Sequence, residues 1–439
     1  MENPRATSEN LKSKRHCELD GLYRLDRLYG LDRLDRLDRL DRLDRLYRLD
    51  NFLMHILSIE TSCDETSAAV LKELPRGFSL LSNIISSQVK LHAAWGGVVP
   101  NLAAREHLKN ITPVIGEALQ KAGIEPKDIG LIAVTNGPGL IPALLIGVEA
   151  AKTLGYLWKV PLIGVHHIEG HIYANFLEFP IDDLRFEKEK EKSLENQKSK
   201  IGNLKFPILC LVVSGGHTQL VLMKDHLQYQ IVGETQDDAA GEAFDKVARI
   251  LNLGYPGGPV ISEAADKLKL LDSKNKTDPK SKIENLISEI SLPRPMINSH
   301  DFNFSFSGLK TAVLYLVKKN EAHLKDENFV AAVAKEFQQS VIDVLIAKTL
   351  KAAKKYEART IMLAGGVSAN RELRQQLGEA VESSLPNTKY HIPDTIFTGD
   401  NAAMIGAAAY FRWKNSKKEK LWKENWKKLE ARADFKLND

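Results

Sequence analysis

Apolar and polar positions divide the chain into three regimes. From Leu22 to Leu49 a leucine recurs at every third position, mostly as Leu-Asp-Arg. On a helix of about 3.6 residues per turn each such step slips by about 60°, so the leucines spiral round every face and build no buried stripe. Residues 1–53 are therefore read as a dispensable, disordered extension, or as sequence wrongly placed ahead of a true start at Met54. Short apolar runs follow. His55 to Leu71 predicts strand, polar turn and strand, and Ser79 to Gln88 continues that sheet. Leu102–Ala122 predicts a helix, Leu131–Val134 a strand entering Gly137-Pro138-Gly139, Ile141–Trp158 a helix and Leu162–Val165 a strand. Phe206–Met223 repeats the strand-turn-strand design around Ser214-Gly215-Gly216, and Thr360–Leu363 predicts a strand entering Gly365-Gly366 ahead of a helix from Ala369. Strands alternating with helices make an α/β architecture, in which ligands gather at the carboxyl ends of the strands. The third regime is charge-dense. Residues 182–205, with Glu-Lys-Glu-Lys-Glu-Lys, read as a solvated insertion between lobes, and in the basic tail Trp422, Trp426, Leu429 and Ala433 share one helical face that docks on its own domain or meets a partner.

Composition adds limits. A chain of 439 residues, 43% hydrophobic and 27% charged, suits a globular protein of two lobes. The formal charge of +4, from 61 basic and 57 acidic residues, is too small to point to a nucleic-acid partner or against one. Cys17, Cys63 and Cys210 are odd in number, far apart and without a C-x-x-C pair, which indicates neither a disulfide framework nor a thiolate zinc site and fits a reducing compartment. No run reaches the roughly 18 to 20 apolar residues that span a bilayer, so a cytoplasmic protein without a membrane partner is expected.

Paired glycines let backbone N–H groups approach a phosphate without a Cβ in the way, and Gly215-Gly216 and Gly365-Gly366 both follow strands. Ser62-Cys63-Asp64-Glu65-Thr66 places two carboxylates and two hydroxyls on a turn between strands, chemistry suited to a metal-phosphate or a proton acceptor. In Val165-His166-His167-Ile168-Glu169-Gly170-His171, His167 and His171 are four apart, so on a helix both imidazoles face one ion. Zinc peptidases use H-E-x-x-H, whereas Ile168 follows His167 and the acid comes one residue later. A carboxylate added to the pair makes the facial triad of ferrous iron or an open zinc site, and spacing does not choose that carboxylate.

These motifs, taken in order with His92, Gly96-Gly97-Val98-Val99-Pro100, Asp237-Asp238-Ala239-Ala240-Gly241-Glu242-Ala243-Phe244-Asp245-Lys246, Tyr255-Pro256-Gly257-Gly258-Pro259, Phe304-Ser305-Phe306-Ser307-Gly308-Leu309-Lys310 and Ala364-Gly365-Gly366-Val367-Ser368-Ala369-Asn370-Arg371, resemble the TsaD/OSGEP family of tRNA threonylcarbamoyladenosine transferases. The resemblance covers about Met54 to Trp413, and Ser62-Cys63-Asp64-Glu65-Thr66 is similar to the bacterial and organellar branch. It implies an actin-like ATPase fold of two ribonuclease-H-like lobes around a nucleotide cleft, lobe I from 54–165 plus about 386–413, lobe II from 166–385, and a tail at 414–439. By motif match His167, His171 and Asp400 would hold one Fe2+ per subunit, with zinc as the alternative, while Val212, Val213, Ser214, Gly215, Gly216, Asp245, Gly258 and Asn370 would hold the adenylate. The implied reaction moves threonylcarbamoyl from threonylcarbamoyladenylate to N6 of adenosine 37 in tRNAs reading ANN codons, forming t6A and releasing AMP. Asp64 or Glu65 is the candidate base or orienting group. The implied partners are tRNA, TsaB and TsaE, with TsaC supplying the adenylate. Three competing readings are a metallopeptidase acting on glycoproteins, an actin-like-fold small-molecule kinase and a non-catalytic tRNA scaffold.

Overall fold

Two five-stranded sheets organise the described residues of this computed structural model, which are 54–75, 77–177, 204–274, 290–416, 422 and 424–437. The leucine repeat and nearly all of the charged insertion lie outside the described residues. The first sheet comprises β1 (His55–Glu60), β2 (Glu65–Leu74), β3 (Gly77–Ser87), β4 (Ile129–Gly137) and β5 (Leu162–His166). Helices α1 (Val89–Ala93) and α2 (Pro100–Ala122) precede β4, α3 (Ile141–Trp158) joins β4 to β5, and α4 (His167–Tyr173) leaves β5 directly. The second sheet comprises β6 (Ile208–Val213), β7 (Thr218–Asp225), β8 (Gln228–Glu234), β9 (Thr360–Ala364) and β10 (Lys389–His391). Between β8 and β9 run α5 (Ala240–Ile250), α6 (Gly257–Lys274), α7 (Ser307–Lys319) and α8 (Glu327–Lys355); α9 (Arg371–Ser384) joins β9 to β10 and α10 (Ala402–Asn415) follows.

Both sheets have one plan. The orders β3-β2-β1-β4-β5 and β8-β7-β6-β9-β10 each pair three antiparallel strands and add two parallel strands beyond the first. This duplicated ribonuclease-H-like plan is the actin-like ATPase fold that the sequence leads one to expect. The central strands are apolar on both faces because both faces are covered, so they read as runs rather than as alternations. Along β4, Leu131 and Ala133 enter an inner core while Ile132 and Val134 enter an outer one under α2 and α3. Along β6, Cys210 and Val212 enter that same inner core, while Leu209, Leu211 and Val213 face the helices outside the second sheet.

The inner core is shared by the two sheets, with α4 and α10 between them. α10 fits because it is built from small residues: a Cβ on Gly406 would lie 2.2 Å from Leu71 Cδ1 and 2.9 Å from Ser58 Oγ. Its first turn is fastened to the first sheet by Ala402 N–H donating to Ser67 Oγ at 2.9 Å and by Ser58 Oγ donating to Ala402 O at 2.7 Å. Where the sequence suggests a return to the first lobe from about 386, β10 instead pairs with β9, and the contacts to the first sheet begin with α10. The helix expected from Ala369 begins at Arg371, because Gly366–Ala369 forms a 3-10 turn and Asn370 caps α9 by accepting Leu373 N–H at 3.0 Å.

The tail is a second correction. Among the described residues it contains a 3-10 turn at Asn425–Lys427 and then runs without a helix, its backbone and carbonyls spent on tertiary partners in place of an intrahelical ladder. Arg432 N–H donates to Asn136 O at 2.8 Å, Asn136 Nδ2 donates to Glu430 O at 3.3 Å and Asn425 Nδ2 donates to Leu162 O at 2.9 Å. Leu429 is buried against the first sheet's outer core and the Trp426 ring lies 4.8 Å from that of Tyr156, so the segment docks on its own lobe. Among the described residues no helix is long and apolar enough to cross a membrane.

Candidate active cleft

Four of the candidate segments lie just past the carboxyl end of a strand. The acidic turn follows β1, His167 follows β5, Ser214 follows β6 and Gly365 follows β9. At the end of β1 the fully buried Glu60 carboxylate accepts from Thr135 Oγ1 at 2.6 Å and from Ser62 N–H, and its Oε2 is 3.1 Å from His167 Nδ1. A carboxylate only accepts, so His167 donates to Glu60 through Nδ1 and presents Nε2 to the cleft. The backbone of the turn is pinned by Leu140 N–H donating to Ser62 O at 2.9 Å and by Gln88 N–H donating to Asp64 O at 3.0 Å.

α4 begins with His166, whose Nδ1 accepts Ile168 N–H at 3.1 Å, and one helical turn brings the His167 and His171 rings to 4.7 Å between centroids. Asp400 arrives from the loop before α10, its Oδ1 3.5 Å from His167 Nε2 and 3.2 Å from His171 Nε2. Both His171 nitrogens are buried and neither makes a hydrogen bond of good geometry. Ligand atoms of His167, His171 and Asp400 all lie within 4.8 Å of one another. Two imidazoles, one carboxylate, an orphaned imidazole nitrogen and a carboxylate behind His167 fit one divalent transition metal. Burial opposes charge on His167, but Asp400 and Glu60 outweigh it and raise its pKa to about 9. Burial likewise opposes charge on Asp400, and His167, His171 and His217 outweigh it and lower its pKa.

Beside this cluster Glu65 is pushed up to about 10, by burial first and then by the charges of Asp400 and Asp64. Cys63 is raised well above the usual thiol range, by burial and then by Asp64, so it stays a thiol and not a nucleophile.

The opposite wall is the Ser214–His217 turn, closed by Ser214 N–H donating to His217 O at 2.8 Å and by His217 N–H donating to Ser214 Oγ at 3.1 Å. Gly215 and Gly216 are exposed, and a Cβ on either would meet nothing within 4 Å. Gly365, with φ +87°, is a different case: a Cβ there would lie 2.4 Å from Val213 O, so close strand packing requires the glycine. Val212 and Val213 point into the two cores, and their backbone is paired in the sheet, with β7 at both residues and with β9 at Val212, so the structure does not turn either residue toward the cleft. Asp245 on α5 accepts Gly257 N–H at 2.7 Å and so holds the Gly257-Gly258 turn beside it; burial raises its pKa. Asn370 is committed within the protein, its Nδ2 donating to Gln338 Oε1 at 2.8 Å and to Ser262 Oγ at 3.1 Å while Oδ1 caps α9.

Electrostatic coupling joins the walls. His217 feels His167, His171 and Asp400; Asp245 feels Asp64; and Tyr255 feels Asp64 and Asp245. Glu60, Thr135, His217 and Tyr255 were given no role in the site from sequence. Glu60 stands two residues before the acidic motif and His217 beside the paired glycines, so adjacency was the available signal.

Two ribonuclease-H-like sheets, with an open glycine turn after a strand of one and a cluster of imidazoles and carboxylates after strands of the other, define an actin-like-fold protein. Residues 79–184 and 192–407 match the family TsaD: tRNA N6-adenosine threonylcarbamoyltransferase. The tRNA N6-adenosine threonylcarbamoyltransferase of Listeria monocytogenes serotype 4b (strain CLIP80459) is 47% identical over 353 residues, 80% of this chain and 90% of that protein. That of Geobacillus kaustophilus (strain HTA426) is 45% identical over 368 residues, 84% of this chain and 94% of that protein. YeaZ from Pseudomonas aeruginosa overlays 40% of this chain and 63% of its own with a TM-score of 0.24 and 13% identity, too loosely to bear on the fold. The chain belongs to the tRNA N6-adenosine threonylcarbamoyltransferase family.

Proposed function

We infer that the chain transfers a threonylcarbamoyl group to N6 of a tRNA adenosine, forming t6A, with threonylcarbamoyladenylate as donor and adenosine 37 of ANN-reading tRNAs as acceptor. The observation that carries this reading is the meeting of the acidic turn and the His167–His171–Asp400 cluster with the open Ser214–Gly216 turn across one cleft. In the reaction the N6–carbon bond forms, the bond from the carbamoyl carbon to the phosphate oxygen breaks, and AMP leaves with that oxygen. The amine must lose a proton as it attacks. Asp64 takes it, because Glu65 keeps its own proton at neutral pH and bonds to Asp64 through it. Backbone N–H groups of Gly215 and Gly216 receive the phosphate, and Asp245 accepts from the ribose hydroxyls. His167, His171 and Asp400 would hold the ion, Fe2+ in this reading. When bound it supplies positive charge that polarises a substrate oxygen and offsets charge on the leaving phosphate.

An anticodon-loop base must be turned outward to reach the cleft, which supports helper subunits, here TsaB and TsaE, with TsaC upstream as source of the donor. The test is incubation of the purified chain and these partners with threonylcarbamoyladenylate and unmodified tRNA, followed by mass analysis of nucleosides. The expected products are t6A and AMP in equal amounts. A full reconstitution that yields neither overturns the reading, and peptide cleavage abolished by His171→Ala would replace it.

A further inference from the structure

Beneath the Cys63–Thr66 turn runs a line of buried polar side chains that the reaction as written leaves unused. His107 on α2, His92 on α1 and Gln88 ahead of α1 are all buried. Val99 N–H donates to His92 Nδ1 at 3.3 Å, and His92 Nε2 is 3.1 Å from Gln88 Oε1. Gln88 Nε2 is 3.4 Å from His107 Nδ1, and His107 Nε2 is 3.0 Å from Cys63 O. The Cys63 carbonyl only accepts, so His107 carries its proton on Nε2 and accepts at Nδ1, from Gln88 and from the Thr66 hydroxyl at 2.8 Å. The Gln88 amide oxygen only accepts, so His92 donates through Nε2 and accepts Val99 N–H. Every donor meets an acceptor with both imidazoles neutral, and burial lowers the pKa of His107.

All four turn residues are tied to this line or to the strand end that carries it. His107 holds Cys63 O and Thr66 Oγ1, Gln88 N–H holds Asp64 O, and Ser87 Oγ donates to Glu65 Oε1 at 3.0 Å. The far end is at the surface. Val99 closes a loop in which Trp95 is 68% exposed and Gly96 takes φ +67°. Gly96 O accepts from Arg249 on α5, the helix that carries Asp245, so the loop is held by the second lobe while its base is wired to the acidic turn.

We propose that His107 is a positioning residue for the transfer: through its own bonds to Cys63 and Thr66 it fixes the Cys63–Thr66 turn that aims Asp64, and through Gln88 and His92 it couples that turn to the Trp95–Val99 loop. The proposal rests on the transfer reaction inferred above. A histidine that served stability alone would lower the folded fraction and leave the turnover of each folded molecule unchanged.

The test compares wild type with His107→Phe, His107→Gln and Gln88→Leu in the reconstituted reaction, each corrected for folded fraction by circular dichroism. His107→Phe is expected to lower kcat at least about tenfold with KM for the adenylate within about twofold, since a turn displaced by a fraction of an ångström misplaces the base but not the phosphate. His107→Gln, whose amide can still donate to Cys63 O, is expected to recover most of the loss. If His107→Phe does not fold, Gln88→Leu carries the test, with a fall in kcat expected. A folded His107→Phe, or failing that a Gln88→Leu, with wild-type kcat overturns the proposal, and so does an equal loss in the Phe and Gln variants. A wild type that makes no t6A removes the transfer reading and the proposal with it, whereas an active wild type beside unaffected variants removes the proposal alone.

Discussion

Of the two neighbouring carboxyls of the acidic turn, Glu65 has its proton held in place, which leaves Asp64 as the base in the transfer inferred above. Glu65 is half-buried beside the charges of Asp400 and Asp64, and Ser87 offsets only part of their effect. Asp64→Ala is therefore expected to cut turnover by about a hundredfold or more, the scale of a positioned base, while adenylate affinity measured by calorimetry barely moves. Unchanged turnover would remove Asp64 from the mechanism. Behind the imidazoles, Glu60 fixes the ring of His167, so Glu60→Gln is expected to weaken metal affinity about 10- to 100-fold, read by competition with a chelator, in a protein that remains folded. Sequence could not have assigned that role. Glu60 and His167 stand 107 residues apart, and only the meeting of β1 and β5 around β4 brings them together.

At the scale of elements, α4 and α10 form one unit across the inner core, and a single ion pair locks them. Arg412 Nε and Nη2 donate to Glu169 Oε1 and Oε2 at 2.7 and 2.6 Å, with Glu169 fully buried. Arg412→Met would strand that carboxylate and is expected to cost about 3–5 kcal/mol by denaturant titration, with a large part recovered when Glu169→Gln is added. A loss below about 1 kcal/mol would place the pair among exposed bridges of little consequence. How legible an element was depended on what covers it. β1, β4 and β6 were readable as apolar runs because each is covered on both faces, and α3 was read with its observed ends, Ile141 and Trp158. α8 escaped: Phe329 to Ala334 are all buried in succession, so this 29-residue helix shows no stripe to betray its period. The tail failed the other way, for its apolar spacing resembled a helix face while its backbone found partners on the first sheet.

For the molecule as a whole, the site's chemistry is expected to draw on stability in a way that pH reveals. The Glu65 carboxyl has a pKa of about 10 in the folded chain, against about 4.3 for an unperturbed glutamate. Between those values the folded state holds a proton that the unfolded state has lost, so the unfolded state binds fewer protons and stability falls as pH rises. The contribution is complete below the unfolded value and is lost progressively up to the folded one. Glu65→Gln removes this titration, so its melting temperature is expected to exceed that of wild type by a margin that widens from about pH 5 to about pH 9. A divalent cation added to wild type is expected to narrow the margin, because positive charge held by Asp400 counters the first of the two negative neighbours that raise Glu65. Calorimetric melts at both pH values decide the matter. Parallel slopes for the two proteins would mean that the cleft accommodates an ionised Glu65, and the assignment of the proton acceptor to Asp64 alone would then lose its electrostatic ground.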